Sequence, residues 1–379
     1  MTFFCPYRKI TLPLVEAERF NIIQRADTAL LENPTHITDS VSPESSGGKH
    51  DYYSQADYSW PNPDTTDGRP FVNRDGESWP GAFFDHRKAL RSMRTNTALF
   101  TAAYLFTGDP KYSHAGESWL KEFFLDEETM MTPSLLYGQA ISGVCGGRGI
   151  GIIDTLHLID VPVAADILWK RGQLSPAVYD GLKSWFTKYL AWISTHQYGI
   201  DERNQKNNHS VCWHLQAAVF ARFTGNDDVL ASCSDYYKNV LLPNQMAKDG
   251  SFPLELTRTK PYGYSIFVLD NMAALCYVLS AADDNLWNFT LPDGRCIKKG
   301  LDYLYPYLDN KSSWPYKDDI ACHKDWPAAM PFMLFAAAGC GDDKWLELYS
   351  RFEKYPTNDE VRRNTGIRLP YLWLWEEYS

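Results

Sequence analysis

The chain has no C-x-x-C pair, no H-E-x-x-H and no other spacing of His, Cys or acidic residues that reads as a metal site. Its eight cysteines are scattered, and Cys212, Cys276 and Cys340 fall in apolar helical surroundings, where buried thiols are ordinary. Positive charge is in deficit. The 37 Lys and Arg stand against 47 Asp and Glu, a formal charge of −10, which removes the basic face that a nucleic-acid partner needs. No uninterrupted run of about 18 apolar residues is present to span a membrane. The first residues, MTFFCPYRKITLPLVE, lack the h-region and cleavage site of a signal peptide. The compartment stays open: periplasmic or secreted if a leader was removed, otherwise cytoplasmic.

What the chain has in excess is aromatic rings. They make up 15% of its 379 residues, with 13 Trp and 23 Tyr, against 22% charged and 44% hydrophobic residues. Packing between helices absorbs most of them. The remainder suits a carbohydrate cleft, where flat rings stack on the apolar faces of sugars and their polar tips hydrogen-bond. An anionic substrate on so acidic a protein needs a locally basic cleft. The candidates for it are His86, Arg87, Lys88, Arg91, Arg94, Arg148, Arg258 and Lys260, about half of them expected to face it. Length alone suggests two or three domains, but no break in composition supports a cut, so residues 1–379 read as one domain.

A helix is expected over LVEAERFNIIQRADTALLEN, after a Pro-interrupted start. Residues 34–81 are rich in Pro, Gly, Ser and Asp and have no helical period. Loops this long inside a domain are functional or disordered, and the rings of HDYYSQADYSWPNP argue for an ordered lid or cleft wall. From Asp85 onward the pattern is helical. The phrase HRKALRSMRTNTALFTAAYLFTGD plus KYSHAGESWLKEFF returns as WHLQAAVFARFTGNDDVLASCSDYYKNVL and again as AAMPFMLFAAAGCGDDKWLELYSRF. Each is an apolar helix, a Gly-Asp turn and a second helix. Further pairs lie between these echoes, GIIDTLHLIDVPVAADILWKR with SPAVYDGLKSWFTKYLAWISTH, and YGYSIFVLDNMAALCYVLSAA with CIKKGLDYLYPYL. The architecture expected is all-α, an (α/α) toroid of about six or seven hairpins, with an irregular helical bundle as the alternative. The GRGIG phrase at 147–151 has no strand before it and helix after it, so it reads as a close helix contact and not as a nucleotide loop.

Two segments gather chemistry. NNHS at 207–210 precedes an apolar helix, where one Asn or the Ser serves as an N-cap, leaving Asn208 and His209 to account for. DGSFPLELTRTKPYGYS, from Asp249 to Ser265, carries Arg258, Tyr262 and Tyr264 around Pro261. An amide, an imidazole, a guanidinium and phenols are the groups needed to take a proton from carbon beside a carboxylate. In a 1,4-linked uronate the C5 proton is barely acidic, because its removal places a second negative charge on the carboxylate. Donors held against that charge are typically worth about 2.7–4 kcal/mol each, and Asn208, His209 and Arg258 are of the right type. A phenol serves as base if a guanidinium favours its anion. In D-mannuronate and D-glucuronate the C5 proton and the C4 oxygen lie on one side of the ring, so one phenol can take the proton and return it to the leaving oxygen. Tyr264 is assigned that role, with Tyr262 as runner-up. No metal and no other cofactor is expected.

At these residues the sequence resembles the alginate lyase-like polysaccharide lyases. The likeness rests on N-N-H-S, on E-L-x-R followed six residues later by Tyr264, on Y-G-Q-A-I-x-G…G-R-G-I-G-I-I-D-T from Tyr137 to Thr155, and on H-D-Y-x-S…W-P-N-P, and it runs from about His50 to Leu275. The resemblance implies an (α/α) toroid and syn β-elimination on a uronate polymer. It implies Asn208, His209 and Arg258 on the carboxylate, Tyr264 as base and acid, and Gln139, Arg87, Tyr53, Tyr58, Trp60 and Tyr262 at the substrate. The Arg-to-Tyr spacing of six is similar to that of the branch acting on mannuronan and glucuronan. The alternative is an inverting glycoside hydrolase on the same toroid, with a carboxylate pair drawn from Asp57, Asp154, Asp249, Glu255 and Asp270. Mannuronan, mixed alginate and glucuronan, endo or exo action, and the oligomeric state stay open.

Overall fold

The computed structural model describes residues 1–6 and 12–375; the Pro-interrupted start ahead of the first helix lies partly outside the described residues. Helix α1 spans Leu12–Ala29. Residues 34–81, expected to form a lid or cleft wall and called the lid segment below, follow, ordered around three short strands, β1 (Tyr53–Gln55), β2 (Ser59–Trp60) and β3 (Val72–Asn73). Then come α2 (Asp85–Thr107), α3 (Pro110–Phe124), strand β4 (Tyr137–Ala140) and an 11-residue 3₁₀ helix over Gly149–Ile159. The chain continues with α4 (Asp160–Lys170), α5 (Pro176–Thr195), α6 (Gln197–Arg203), α7 (Asn208–Thr224), α8 (Asp227–Tyr236), and the one-turn helices α9 (Leu242–Gln245) and α10 (Pro253–Leu256). It ends with α11 (Pro261–Leu279), α12 (Ile297–Asp309), α13 (Pro331–Cys340), α14 (Lys344–Arg351), α15 (Asp359–Arg363) and α16 (Pro370–Trp373).

The inner helices α2, α4, α7, α11 and α13 pack in that order, each on the next, and each is followed by an outer partner, α3, α5, α8, α12 or α14. The result is an open ring of antiparallel hairpins, five among the described residues, with α1 laid against α2. It is the all-α toroid expected from the pattern, with five hairpins among the described residues where about six or seven were expected. The three sequence echoes have one physical cause: α2, α7 and α13 each stop at a left-handed glycine, Gly108 (φ 68), Gly225 (φ 78) and Gly341 (φ 68), whose N–H closes the last turn. The outer helices keep a single apolar stripe, as in α12 with Ile297, Leu301, Leu304 and Leu308 buried. Helix α11 is buried along its whole length. It is long and apolar enough to cross a membrane, yet its apolar window lies entirely inside the fold, with Asp270 as its one charged side chain.

Contrary to expectation, a strand does precede the glycine-rich phrase. β1 and β4 pair in parallel, Tyr53 opposite Tyr137, and tie the lid region to the ring. Gly151 then sits so close to Gly138 of β4 that a Cβ would lie 2.5 Å from that backbone. The glycines therefore admit a strand as well as a helix, and a 3₁₀ helix follows them.

Candidate active site

The cleft opens at the lid side of the ring and has a volume of about 440 Å³. Its walls come from far-apart segments: Tyr58 and Asp75 from the lid, Arg91 from α2, Gln139 and Arg148 around β4, Asp154 and His157 from the 3₁₀ helix. The start of α7 adds Asn208 and His209, the turn between α10 and α11 adds Arg258, α11 adds Tyr264, and α15 adds Arg363.

The NNHS turn divides its labour. The Asn207 side chain accepts from the His209 N–H and caps α7. Asn208 is buried, and its backbone N–H and side-chain Nδ2 both donate to Glu255 of α10, at 3.0 and 2.9 Å. His209 holds Nδ1 2.7 Å from Glu202 of α6, so Nε2 is the ring nitrogen left for the cleft. Ser210 Oγ donates to the Arg203 carbonyl and closes the turn. Two fully buried glutamates thus hold the two adjacent site residues, and burial pushes both carboxyls up from their ordinary values. A protonated Glu202 can donate to Nδ1 and leave an N–H on Nε2.

Arg258 does not pair with Glu255. Its Nη2 donates to Asp75 of the lid at 2.6 Å and to Tyr264 Oη at 3.4 Å, and its guanidinium lies 4.4 Å from the Tyr264 ring centre. Tyr264 stands in the first turn of α11, whose start is fixed by Asp319 accepting the N–H groups of Tyr262 and Gly263 at 2.8 and 2.9 Å. The Tyr264 hydroxyl is 2.5 Å from that of Tyr58, and Tyr58 in turn accepts from Arg363 Nη2 at 2.8 Å. Burial, then the neighbouring Tyr58, hold the Tyr264 phenol well above the ordinary tyrosine range, while Arg258 pulls the other way. The guanidinium favours the phenolate, as the sequence argument requires, but burial outweighs it.

Gln139 lines the cleft with φ 51, a left-handed conformation rare for a residue with a side chain. The strain is held by Ser54 Oγ, which accepts its backbone N–H at 2.8 Å, and by Asp154, which accepts from Nε2 at 3.1 Å. Such conformations persist where surrounding contacts over-determine them, often at ligand sites. Arg148 donates to the Gln139 carbonyl and side chain and has no carboxylate partner among the described residues. Nor has Arg91, whose Nε donates to His157 Nε2 at 3.2 Å; burial and the nearby Arg87 bring this guanidinium down to about 10.

Of the residues singled out from the sequence, the cleft gathers Asn208, His209, Arg258, Tyr264, Tyr58 and Gln139. It does not gather the other four. Arg87 is buried, with its donors taken by Asp154, Asp57 and the Gln55 carbonyl. Tyr53 is buried at the start of β1, its N–H on His86. The Trp60 indole donates to the Glu77 carbonyl under Arg74. Tyr262 is fully buried against Trp314, its hydroxyl on the Tyr307 carbonyl, because successive residues of a helix point some 100° apart. Of the basic candidates, Arg91, Arg148 and Arg258 reach the cleft. His86 binds the Ser40 carbonyl, and Lys88, Arg94 and Lys260 pair with Asp85, Asp160 and Glu360. The sequence reading passed over Asp75 and Arg363. Asp75 had a faint signal in its Asp-Gly turn, and Arg363 had none.

A family model described as alginate lyase matches residues 36–314. No curated protein matches the chain. Among solved structures, an alginate lyase from Bacteroides ovatus superposes with a TM-score of 0.82 at 30% identity, over 97% of this chain and 99% of that one. Alginate lyase A1-III from Sphingomonas species A1 has the same fold at 16% identity, with a TM-score of 0.51 over 96% of this chain and 94% of that one. A variant of A1-III complexed with a tetrasaccharide gives 0.55 at 14% identity, over 96% and 95%. On the family match, which takes in both the NNHS turn and the Arg258–Tyr264 segment, this chain belongs to the alginate lyase family and is a polysaccharide lyase.

Proposed function

We propose that the protein cleaves 1,4-linked uronate polymers, mannuronate-rich alginate or glucuronan, by syn β-elimination. Tyr264 takes the C5 proton and returns it to the C4 oxygen, and the product carries a 4,5-unsaturated uronate end. The observation that carries this reading is the placement of the Tyr264 hydroxyl beside Arg258, in one cleft with Asn208 and His209. In this reading the substrate carboxylate lies against His209, Asn208 and the part of Arg258 not held by Asp75. Its developing charge is met by donors already fixed by Glu202, Glu255 and Asp75. Arg91 and Arg148, lacking carboxylate partners, suit the carboxylates of neighbouring sugar units.

The hydrolase alternative needs a carboxyl poised to protonate the leaving oxygen. Of the five candidate carboxylates only Asp57 and Asp154 line the cleft, and both pair with Arg87, while Glu255 is fully buried and accepts from Asn208. Burial favours the neutral form of Asp57, but Arg363 and Arg87 overcome it and hold the group down to about 2. Asp154 accepts from Arg87, Ser54 and Gln139, while Asp249 caps its own turn and Asp270 lies inside α11. The test is absorbance of the unsaturated uronate on polymannuronate, polyguluronate and glucuronan, for wild type and Tyr264→Phe. A rise on one polymer that the substitution abolishes supports both base and substrate. Reducing ends without that absorbance would sink the elimination.

A further inference from the structure

Six alternating charges run across the lid side of the ring. Asp154 pairs with Arg87 at 3.0 Å, Arg87 with Asp57, Asp57 with Arg363 at 3.0 Å, Arg363 with Glu360 at 2.5 Å, and Glu360 with Lys260 at 2.8 Å. Three acids and three bases cancel, so the chain as a fold element is complete. Arg363 nevertheless spends a further N–H on something outside it, the Tyr58 hydroxyl, at 2.8 Å. Tyr58 stands 2.5 Å from Tyr264. At this distance one hydroxyl donates to the other. Two phenols this close ionise once, and the charge belongs to the pair. The pair has a guanidinium at each end, Arg258 beside Tyr264 and Arg363 beside Tyr58, while the ammonium of Lys260 lies 5.1 Å from the Tyr58 ring centre. Arg363 belongs to α15, beyond residues 36–314, so the family match does not extend to it.

We propose that Arg363 is a positioning residue of the active site: it ties the 34–81 segment down through Asp57, holds the Tyr58 hydroxyl against Tyr264, and with its own charge favours ionisation of the tyrosine pair that takes the C5 proton. The inference rests on Tyr264 as base. Once the pair has ionised, it accepts one proton at Tyr264 from C5 and gives that proton to the C4 oxygen. It ends as it began, with Tyr58 keeping its own proton throughout.

Arg363→Gln is then expected to lower kcat about tenfold or more, with KM changed by less than about threefold. It should move the acidic limb of log kcat/KM to higher pH, because the pair loses one of its two cations. Arg363→Lys, which keeps the charge, is expected to hold the limb near its wild-type position. The decisive comparison is in the Tyr58→Phe background, where Arg363→Gln should cost clearly less than in wild type, since only its tie to Asp57 and its charge remain to be lost. An undiminished loss in that background, or a limb that does not move, would overturn the proposal and leave Arg363 as an ion-pair residue. Where Arg363→Gln melts below the assay temperature, Tyr58→Phe alone carries the test: a kcat and an acidic limb unchanged from wild type would overturn the proposal. Wild type that forms no unsaturated product refutes the base assignment instead, a separate outcome.

Discussion

Asp270 offers a quantitative test of how the helix that carries Tyr264 is held. It is the one charged side chain of α11 and is buried, and the interaction holding it is the Phe332 N–H, which it accepts at 2.7 Å. Burial raises its carboxyl from 3.8 to about 7, against that single hydrogen bond. A carboxyl raised in the folded state binds more protons folded than unfolded between those two values. Its stability contribution is therefore fully present below 3.8 and is lost as pH rises through about 7. The shift of some three units corresponds to about 4 kcal/mol at alkaline pH. Asp270→Asn keeps an acceptor for Phe332 and removes the titration. Relative to wild type it should be more stable by about 4 kcal/mol near pH 8 and by less than about 2 kcal/mol near pH 5. Urea unfolding of both proteins at the two pH values measures the difference. A gain equal at both, or a loss that grows with pH, would show that Asp270 is ionised in the fold and that a cation or water compensates it.

Two further outcomes follow from the site and its supports. If Tyr264 is the base, kcat/KM should climb by about tenfold per pH unit through neutrality toward alkaline pH, because burial and Tyr58 hold the phenol above its ordinary range; a plateau already reached in the imidazole range would point to His209 instead. Gly151→Ala would drive a Cβ to 2.5 Å from the backbone of Gly138. Since no side chain there can swing away, the strand and the 3₁₀ helix bearing Asp154 and His157 must part, at about 1–3 kcal/mol or more; a thermal midpoint unchanged from wild type would refute that contact.

The helices were legible in the sequence because an apolar stripe and a glycine stop are local signals, and the three echoes around Gly108, Gly225 and Gly341 record one such signal repeated. The core of the site was legible for a related reason: NNHS and the Arg258–Tyr264 segment are short stretches in which several reactive types crowd together. What failed was direction. Tyr262 and Tyr264 are alike in type and two residues apart, yet one faces Trp314 and the other the cleft, a distinction that needs the helix's first residue, and that is set by Asp319, far along the chain. Arg87 looked like a cleft cation because its sequence neighbours are basic, whereas its actual neighbours Asp57 and Asp154 are acids from other segments.

Arg91 shows why a site can be hard to read from stability rules. A guanidinium in a half-buried wall without a carboxylate partner breaks the expectation that buried charges are paired. Its fall from 12.5 to about 10 amounts to about 3 kcal/mol by which burial and the nearby Arg87 disfavour the charge. A carboxylate arriving with the substrate can return part of that cost, so the unpaired cation costs the free protein stability while favouring an anionic ligand. The same reasoning covers Arg148, and it explains how a chain of net charge −10 offers an anion a place to bind. The acids elsewhere lie outside the cleft and are screened over about 8–10 Å by salt, whereas in the cleft Asp57, Asp75 and Asp154 are each already bound to an arginine.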